Sequence, residues 1–290
     1  MDFTIPALGF GLMGLSVGYG KAESDEPRFK VLDRAFELGE TFWDSSDIYG
    51  DSEELVGKWF AKNPDKRKDI FLATKFAVVH MGDKPGPMID SSPEYVKEAC
   101  EKSLKRLGVD TIDLYYCHRV DGKTPIELTV QAMAELKKEG KVKYLGLSEI
   151  SSKTLRRACK VAHIDAVQIE YSPFSTDIES PEIDLLKTCR ELGVAIVAYS
   201  PLGRGMLTGV YKSTADFGEG DFPQGNDIFP IPGTKKIKYL EENLGALKLE
   251  LSKEEEAEIR KLVDAAEVHG GRYPEAMKDQ CFADTPALNA

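Results

Sequence analysis

The sequence predicts an α/β chain closed into a (β/α)8 TIM barrel, with the helix between strands seven and eight missing. Three observations lead there. Short apolar runs alternate with amphipathic stretches of helical period almost from end to end, which implies a parallel sheet with helical crossovers. Eight runs qualify as strands, a number that suits a closed barrel better than the alternative, an open doubly wound sheet. Seven of the eight deliver a polar residue at the carboxyl end, where barrel enzymes gather their chemistry.

The strands are expected near residues 8–10, 41–44, 70–75, 112–117, 144–147, 166–169, 194–199 and 228–231, all rich in β-branched or aromatic residues. Between them FKVLDRAFELG, SPEYVKEACEKSLKRLG, IELTVQAMAELKKEG, SKTLRRACKVA and EIDLLKTCRELG supply helices. Ser92 and Pro93 open the helix over 92–107 as cap and first-turn proline, while Gly39, Gly108, Gly140 and Gly193 close theirs. Residues 206–226 break the repeat, with glycines, acids and a proline but no sustained apolar period. A structureless loop of that length is uncommon inside a compact domain. Loss of one cover helix would bare about 400 Å² of apolar surface, worth roughly 10 kcal/mol. After strand eight come helices over 235–247 and 252–266, then a tail from about 267. One barrel domain is expected over 1–290.

The chain has 290 residues, 42% hydrophobic and 30% charged, which is an ordinary core-forming composition. Its net charge of −11 argues against nucleic acid or an anionic membrane as partner. Five widely spaced cysteines show no CxxC pair and no zinc-ligand spacing, and their odd number favours a reducing, cytoplasmic setting. The opening MDFTIPALGF lacks the basic and long apolar regions of a secretory signal, and no run approaches the roughly 18 apolar residues of a membrane span. An uncovered barrel face would allow self-association.

Gly9-Phe10-Gly11-Leu12-Met13-Gly14 matches GxGxxG, but the residues after it read as loop, and Asp44 lies too far on to be the ribose-binding acid. Backbone lying close to a ligand is the better reading, and a structural turn the alternative. Asp44, Lys75 and His118 each mark the end of a strand, and Tyr49 lies five residues beyond Asp44. A phenol has a pKa near 10, and an adjacent ammonium such as Lys75 would lower it and make Tyr49 a proton donor. Asp44 would balance the ammonium, and His118 would orient a carbonyl oxygen. Each also has an ordinary reading, as a cap, a turn residue or a locally bonded side chain; their shared barrel end favours function. In PIPGTKKIKYLEEN, Lys235, Lys236 and Lys238 crowd a helix start, where cations are unfavourable unless an anion sits there. A solvated charged face is the alternative. AYSPLGRGMLTG offers backbone N–H groups, Arg204 for a phosphate and Tyr199 for a flat ring, or else a plain glycine-rich loop.

Taken together, WDSSDIYGDSEELVG, LATKF, IDLYYCHRVD, GKVKYLGLSEIS, VQIEYSP, AYSPLGRG and IPGTKK with EEN resemble the aldo-keto reductase superfamily through nearly the whole chain. The likeness is to its NADPH-linked fungal and plant branch, which reduces aldehydes and ketones. The resemblance implies Asp44, Tyr49, Lys75 and His118 as a catalytic tetrad with Tyr49 as proton donor, and no metal. It implies Gly11 and Met13 beside the cofactor, Ser148 and Gln168 at the nicotinamide carboxamide, and Tyr199 stacked on the ring. Ser200, Leu202 and Arg204 would lie along the pyrophosphate. Gly233, Thr234, Lys235 and Lys236 would bind the 2′-phosphate, with Glu242 and Asn243 near the adenine. The expected reaction is NADPH-dependent reduction of a small carbonyl substrate to an alcohol. A weak or inactive variant and a cofactor-holding auxiliary subunit are the other readings. Residues 19–27, 79–90, 206–226 and the tail would shape the substrate pocket. Two departures stand out: many relatives have Asn where this chain has Glu149, an acceptor in place of a donor, and relatives carry some tens more residues before strand eight.

Overall fold

Inward and outward positions alternate along each strand of a parallel sheet, and that alternation fixes what the barrel holds. The structure, a computed structural model, describes residues 5–80, 88–203, 227–268 and 270–288. In chain order the elements are β1 (Phe10–Gly11), α1 (Met13–Ser16), α2 (Asp25–Glu37), β2 (Phe42–Asp44), α3 (Ser52–Lys62), β3 (Phe71–Phe76), β4 (Val78–His80) and β5 (Met88–Ile89). Next come α4 (Pro93–Leu107), β6 (Ile112–Cys117), α5 (Ile126–Lys138), β7 (Val142–Ser148), α6 (Ser152–Ala158), β8 (Ala166–Glu170), α7 (Leu185–Leu192) and β9 (Ala195–Tyr199). The last are β10 (Ile228–Pro230), α8 (Ile237–Gly245) and α9 (Lys253–Ala265).

Eight strands form one parallel sheet in the order β1-β2-β3-β6-β7-β8-β9-β10. Two hydrogen bonds close it into a barrel: Gly9 N–H donates to the Pro230 carbonyl at 2.9 Å and Gly11 N–H to the Pro232 carbonyl at 3.2 Å. Neither proline has an N–H to return, so the seam is bonded from one side only. The backbones are tight there. A Cβ on Gly11 would stand 2.7 Å from the Ile231 carbonyl oxygen, and one on Gly233 2.7 Å from the Gly11 carbonyl oxygen. This contact gives the N-terminal glycines a structural role. β4 and β5 make a separate antiparallel pair.

Phe42, Phe71, Ala73, Leu114, Tyr116, Ala166, Val197 and Ile231 fill the barrel interior. The alternate residues Trp43, Leu72, Tyr115, Leu145, Val167 and Ile196 face outward into the larger core under the helices. The helix ends reflect local chemistry. Ser92 accepts from Tyr95 N–H with Pro93 in the first turn of α4, and Gly108 ends it at φ +64°. Ser252 and Glu255 form a capping box on α9.

Among the described residues no helix lies between β9 and β10; the missing-helix expectation falls on a segment of which 204–226 lie outside the described residues. Outward residues of these strands, Ile196, Ala198 and Ile228, are nonetheless buried. α9 shows the opposite: none of its residues is buried. No described helix is long and apolar enough to cross a membrane.

Candidate active site

The inward register carries polar residues to the carboxyl rim. Phe42 and Asp44 face inward on β2, Phe71, Ala73 and Lys75 on β3, and Leu114 and Tyr116 on β6, so His118 continues the same parity one step beyond β6. The loop after β2 stays attached to β3 through Ser45 N–H to Ala73 O (2.9 Å) and Asp47 N–H to Lys75 O (3.1 Å). A turn, Tyr49 N–H to Ser46 O, then brings Tyr49 back over the mouth.

Lys75 is fully buried and donates to Asp44 Oδ1 and to the Ser45 carbonyl, each at 2.6 Å. Its Nζ lies 4.8 Å from the centre of the Tyr49 ring. Tyr49 and His118 meet edge to face, with ring centres 5.8 Å apart. The four residues predicted to act together are therefore one cluster. Burial works against the Lys75 ammonium, but Asp44 and Tyr49 more than offset it and hold the group above its ordinary pKa. Burial, then the Arg119 and Lys75 cations, push His118 well below the usual imidazole range, so its ring is neutral at pH 7. Ser46 Oγ lies 3.2 Å from His118 Nδ1, while Nε2 makes no hydrogen bond among the described residues.

Tyr49 differs from expectation. Desolvation raises its pKa above 10, the Asp44 charge adds to the rise, and Lys75 and Arg119 only oppose it. The resting phenol is thus held protonated rather than made strongly acidic.

The remaining strands complete the rim. Gln168 Nε2 donates to Asp44 Oδ2 at 2.8 Å, reaching across the mouth from β8 to β2. A carboxylate only accepts, so the Gln168 amide nitrogen must face it, which turns its oxygen away. Ser148 ends β7, Tyr199 ends β9, and Ser200 comes next at φ +51° with Leu202 two residues on. Gly233, Thr234, Lys235 and Lys236 lead from the seam into α8, close to Gly11 and beyond α1, which carries Met13. Lys235 donates to the Tyr19 carbonyl, and Lys235, Lys236 and Lys238 have no ion pair among the described residues. α8 begins with no side-chain cap and no acid in its first turn, so its free N–H groups and the lysines share one end. Glu242 is exposed and Asn243 half-buried on the same helix. Arg204 lies outside the described residues.

Residues not singled out from sequence also enter the site. Arg119, beside His118 and buried, donates to the His118 carbonyl (2.6 Å) and to Ser148 Oγ (3.2 Å). Its signal is an arginine directly after His118 in the HRVD stretch. Glu149 does not face inward beside Ser148 as the lost amide donor; it turns to Tyr199 and to Arg272 of the tail.

A parallel barrel whose carboxyl rim joins a buried ammonium, a carboxylate, a phenol and a neutral imidazole is equipped to move a proton to an oxygen. Comparison with known proteins identifies the family. The aldo/keto reductase family matches residues 7–227. The aldo-keto reductase str7 of Strobilurus tenacellus is 51% identical, with 98% of this chain and 96% of that protein covered. The aldo-keto reductase yakc [NADP(+)] of Schizosaccharomyces pombe is 46% identical with the same coverage. The alignment with str7 runs over 331 positions against a chain of 290 residues, so at least 41 positions of the relative have no counterpart here. Among solved structures, a thermostable aldo-keto reductase, Tm1743, with the inhibitor epalrestat, superposes with a TM-score of 0.74 at 28% identity, covering 89% of this chain and 95% of that one. An aldo-keto reductase of Klebsiella pneumoniae in complex with NADPH gives 0.71 at 26% identity, covering 89% and 91%. The chain belongs to the aldo/keto reductase family, and its general chemistry is carbonyl reduction.

Proposed function

We infer that the protein reduces small aldehydes or ketones to alcohols with NADPH, using Tyr49 as the proton donor. The observation that carries this reading is the fully buried Lys75–Asp44 pair set 4.8 Å from the Tyr49 ring, with neutral His118 against the ring's edge. The NADP(+) in the name of the fission-yeast relative and the NADPH of the Klebsiella enzyme support the cofactor. So does the start of α8, where the N-cap residue makes no side-chain cap bond and Lys235, Lys236 and Lys238 have no ion pair among the described residues, a setting that suits a phosphate.

When bound, the cofactor supplies a hydride to the carbonyl carbon. Tyr49 gives its hydroxyl proton to the carbonyl oxygen. An alkoxide is a stronger base than a phenolate, so a phenol held above its usual pKa still transfers its proton downhill. Lys75 stabilises the phenolate left behind, and Asp44 keeps Lys75 charged. If Nδ1 of the neutral His118 accepts from Ser46, Nε2 carries the hydrogen that orients the carbonyl oxygen. Gln168 offers its oxygen and Ser148 its hydroxyl to the nicotinamide carboxamide, and Tyr199 offers its ring face. Ser200 and Leu202 would lie along the pyrophosphate, and the charge of Arg204, outside the described residues, would suit the same group. Gly233, Thr234, Lys235 and Lys236 take the 2′-phosphate, Glu242 and Asn243 the adenine, and Gly11 and Met13 border the groove.

Mixing purified protein with NADPH and a panel of aldehydes should consume the reduced-nicotinamide absorbance. Tyr49→Phe should lower that rate by about 10²–10⁴-fold, the range for a lost general acid, with NADPH binding retained. A Tyr49→Phe enzyme of full activity would end the proton-donor assignment.

A further inference from the structure

Glu149, the first residue past β7, sits at φ +52°, a left-handed conformation that is strained for a non-glycine residue. Its carboxylate is fully buried. Arg272 grips it from the C-terminal tail, Nη2 to Oε2 at 2.8 Å and Nη1 to Oε1 at 3.1 Å. Tyr199 Oη lies 2.7 Å from Oε1. The tail also bonds the Glu149 backbone, Ala283 N–H to Glu149 O at 2.8 Å, and receives Ser151 N–H at Ala283 O. Strain at Glu149 is therefore held in place by tail residues.

The next residue, Tyr273, places its hydroxyl 2.9 Å from that of Tyr199. Directions in this network are set by chemistry. A carboxylate only accepts, so Tyr199 spends its single hydrogen on Glu149. Tyr273 must then donate to Tyr199. A guanidinium only donates, so Arg119 Nη2 gives to Tyr273 Oη at 3.5 Å. One directed chain runs Arg119, Tyr273, Tyr199, Glu149, with Arg272 closing it from the far side. Its first member also bonds Ser148 and the His118 carbonyl. Two of the three residues assigned to the nicotinamide, Ser148 and Tyr199, are thus tied together through a side chain of the tail.

We propose that Tyr273 is a positioning residue for the nicotinamide half of the cofactor, acting through Tyr199 and Arg119, and that the Arg272–Glu149 pair is the clamp that presents it. This rests on the reading that Tyr199 receives the nicotinamide ring. Tyr273 touches no reacting atom; it sets the orientation of the ring that does the stacking. Loss of its hydroxyl leaves Tyr199 without this donor, so that its ring is oriented by the bond to Glu149 without the second tie.

The test is Tyr273→Phe, alone and combined with Tyr199→Phe, titrated with NADPH and with adenosine 2′,5′-bisphosphate, which carries the phosphate end and no nicotinamide. Tyr273→Phe should weaken NADPH roughly five- to tenfold, the scale of one lost hydrogen bond, and leave the bisphosphate unchanged. In the Tyr199→Phe background the second substitution should add less than about twofold, since its path is already cut. Glu149→Gln, which keeps the side chain's length and removes the charge that Arg272 grips, should reproduce the nicotinamide-specific loss. Equal weakening of both probes, unchanged NADPH affinity, or full additivity with Tyr199→Phe would overturn the assignment while leaving the reductase reading intact. Failure of the unsubstituted protein to bind NADPH would remove the reading itself.

Discussion

Glu40 lies between α2 and β2 at the amino end of the barrel, 1% exposed, and neither carboxylate oxygen has a hydrogen-bond partner among the described residues. The nearby Trp43 indole donates to the Glu40 main-chain carbonyl instead. Burial alone raises the side chain from 4.5 to about 8, so it is mostly protonated in the folded protein at pH 7 and ionised when unfolded. The folded state therefore binds the extra proton. Stability from this group is full below about pH 4.5 and is lost as pH rises towards 8. Each pH unit costs about 1.4 kcal/mol, so the loss is roughly 3 kcal/mol at pH 7 and roughly 5 kcal/mol once pH passes the folded value. A domain holds about 5–15 kcal/mol in all, so the effect is measurable. Glu40→Gln keeps the shape and removes the ionisation. Urea melts of both proteins at pH 5, 7 and 8 should show the variant gaining progressively, with little difference at pH 5. At about 2 °C per kcal/mol for a large domain, its melting temperature at pH 7 should rise by about 6 °C. A difference that stays flat from pH 5 to 8 would refute the reasoning, because only a displaced titration makes it grow.

Lys75→Met leaves Asp44 buried with Gln168 as its remaining side-chain partner; stability should fall by about 3–5 kcal/mol and turnover by about 10²-fold or more. Adding Asp44→Asn should restore the melt but not the turnover, measured on the same samples. Gly146→Ala would set a Cβ 2.2 Å from Cδ1 of the fully buried Tyr116 ring inside the barrel; denaturant melts should show a loss of about 1–3 kcal/mol from overpacking.

The barrel is legible because its signals are local. β6 has the bounds its sequence predicts, since IDLYYC is apolar almost throughout and a helix with a glycine stop precedes it. β7 starts two residues earlier than its predicted run, at Val142, because the charged, exposed Lys143 interrupts the apolar pattern between Val142 and Tyr144. β1 begins two residues later than expected for another reason: Gly9 contributes only one-sided bonding to a proline strand, which no sequence period encodes. The pair β4 and β5 depends on a partner strand for its register and leaves no periodic trace.

The site divides along the same line. Asp44, Lys75 and His118 obey strand parity, so a polar residue two steps beyond an inward apolar one points into the mouth, and spacing alone finds it. Tyr49 needs the ladder between the β2 loop and β3, yet that loop is short enough to keep it near. Arg272 and Tyr273 have no such handle. They reach Glu149 and Tyr199 across 123 and 74 residues of chain, from a tail without period, through hydrogen bonds whose directions emerge only once all partners are in place. Glu149 shows the cost of reading one residue alone. Seen in sequence it is an amide lost from a cofactor contact; in the fold it is the acceptor on which a tail closes, and Ser148 is steadied instead by Arg119. Most of the residues proposed to do the chemistry are thus set by the strands, while those proposed to hold the cofactor wall in place come from a segment that the barrel's repeat does not specify.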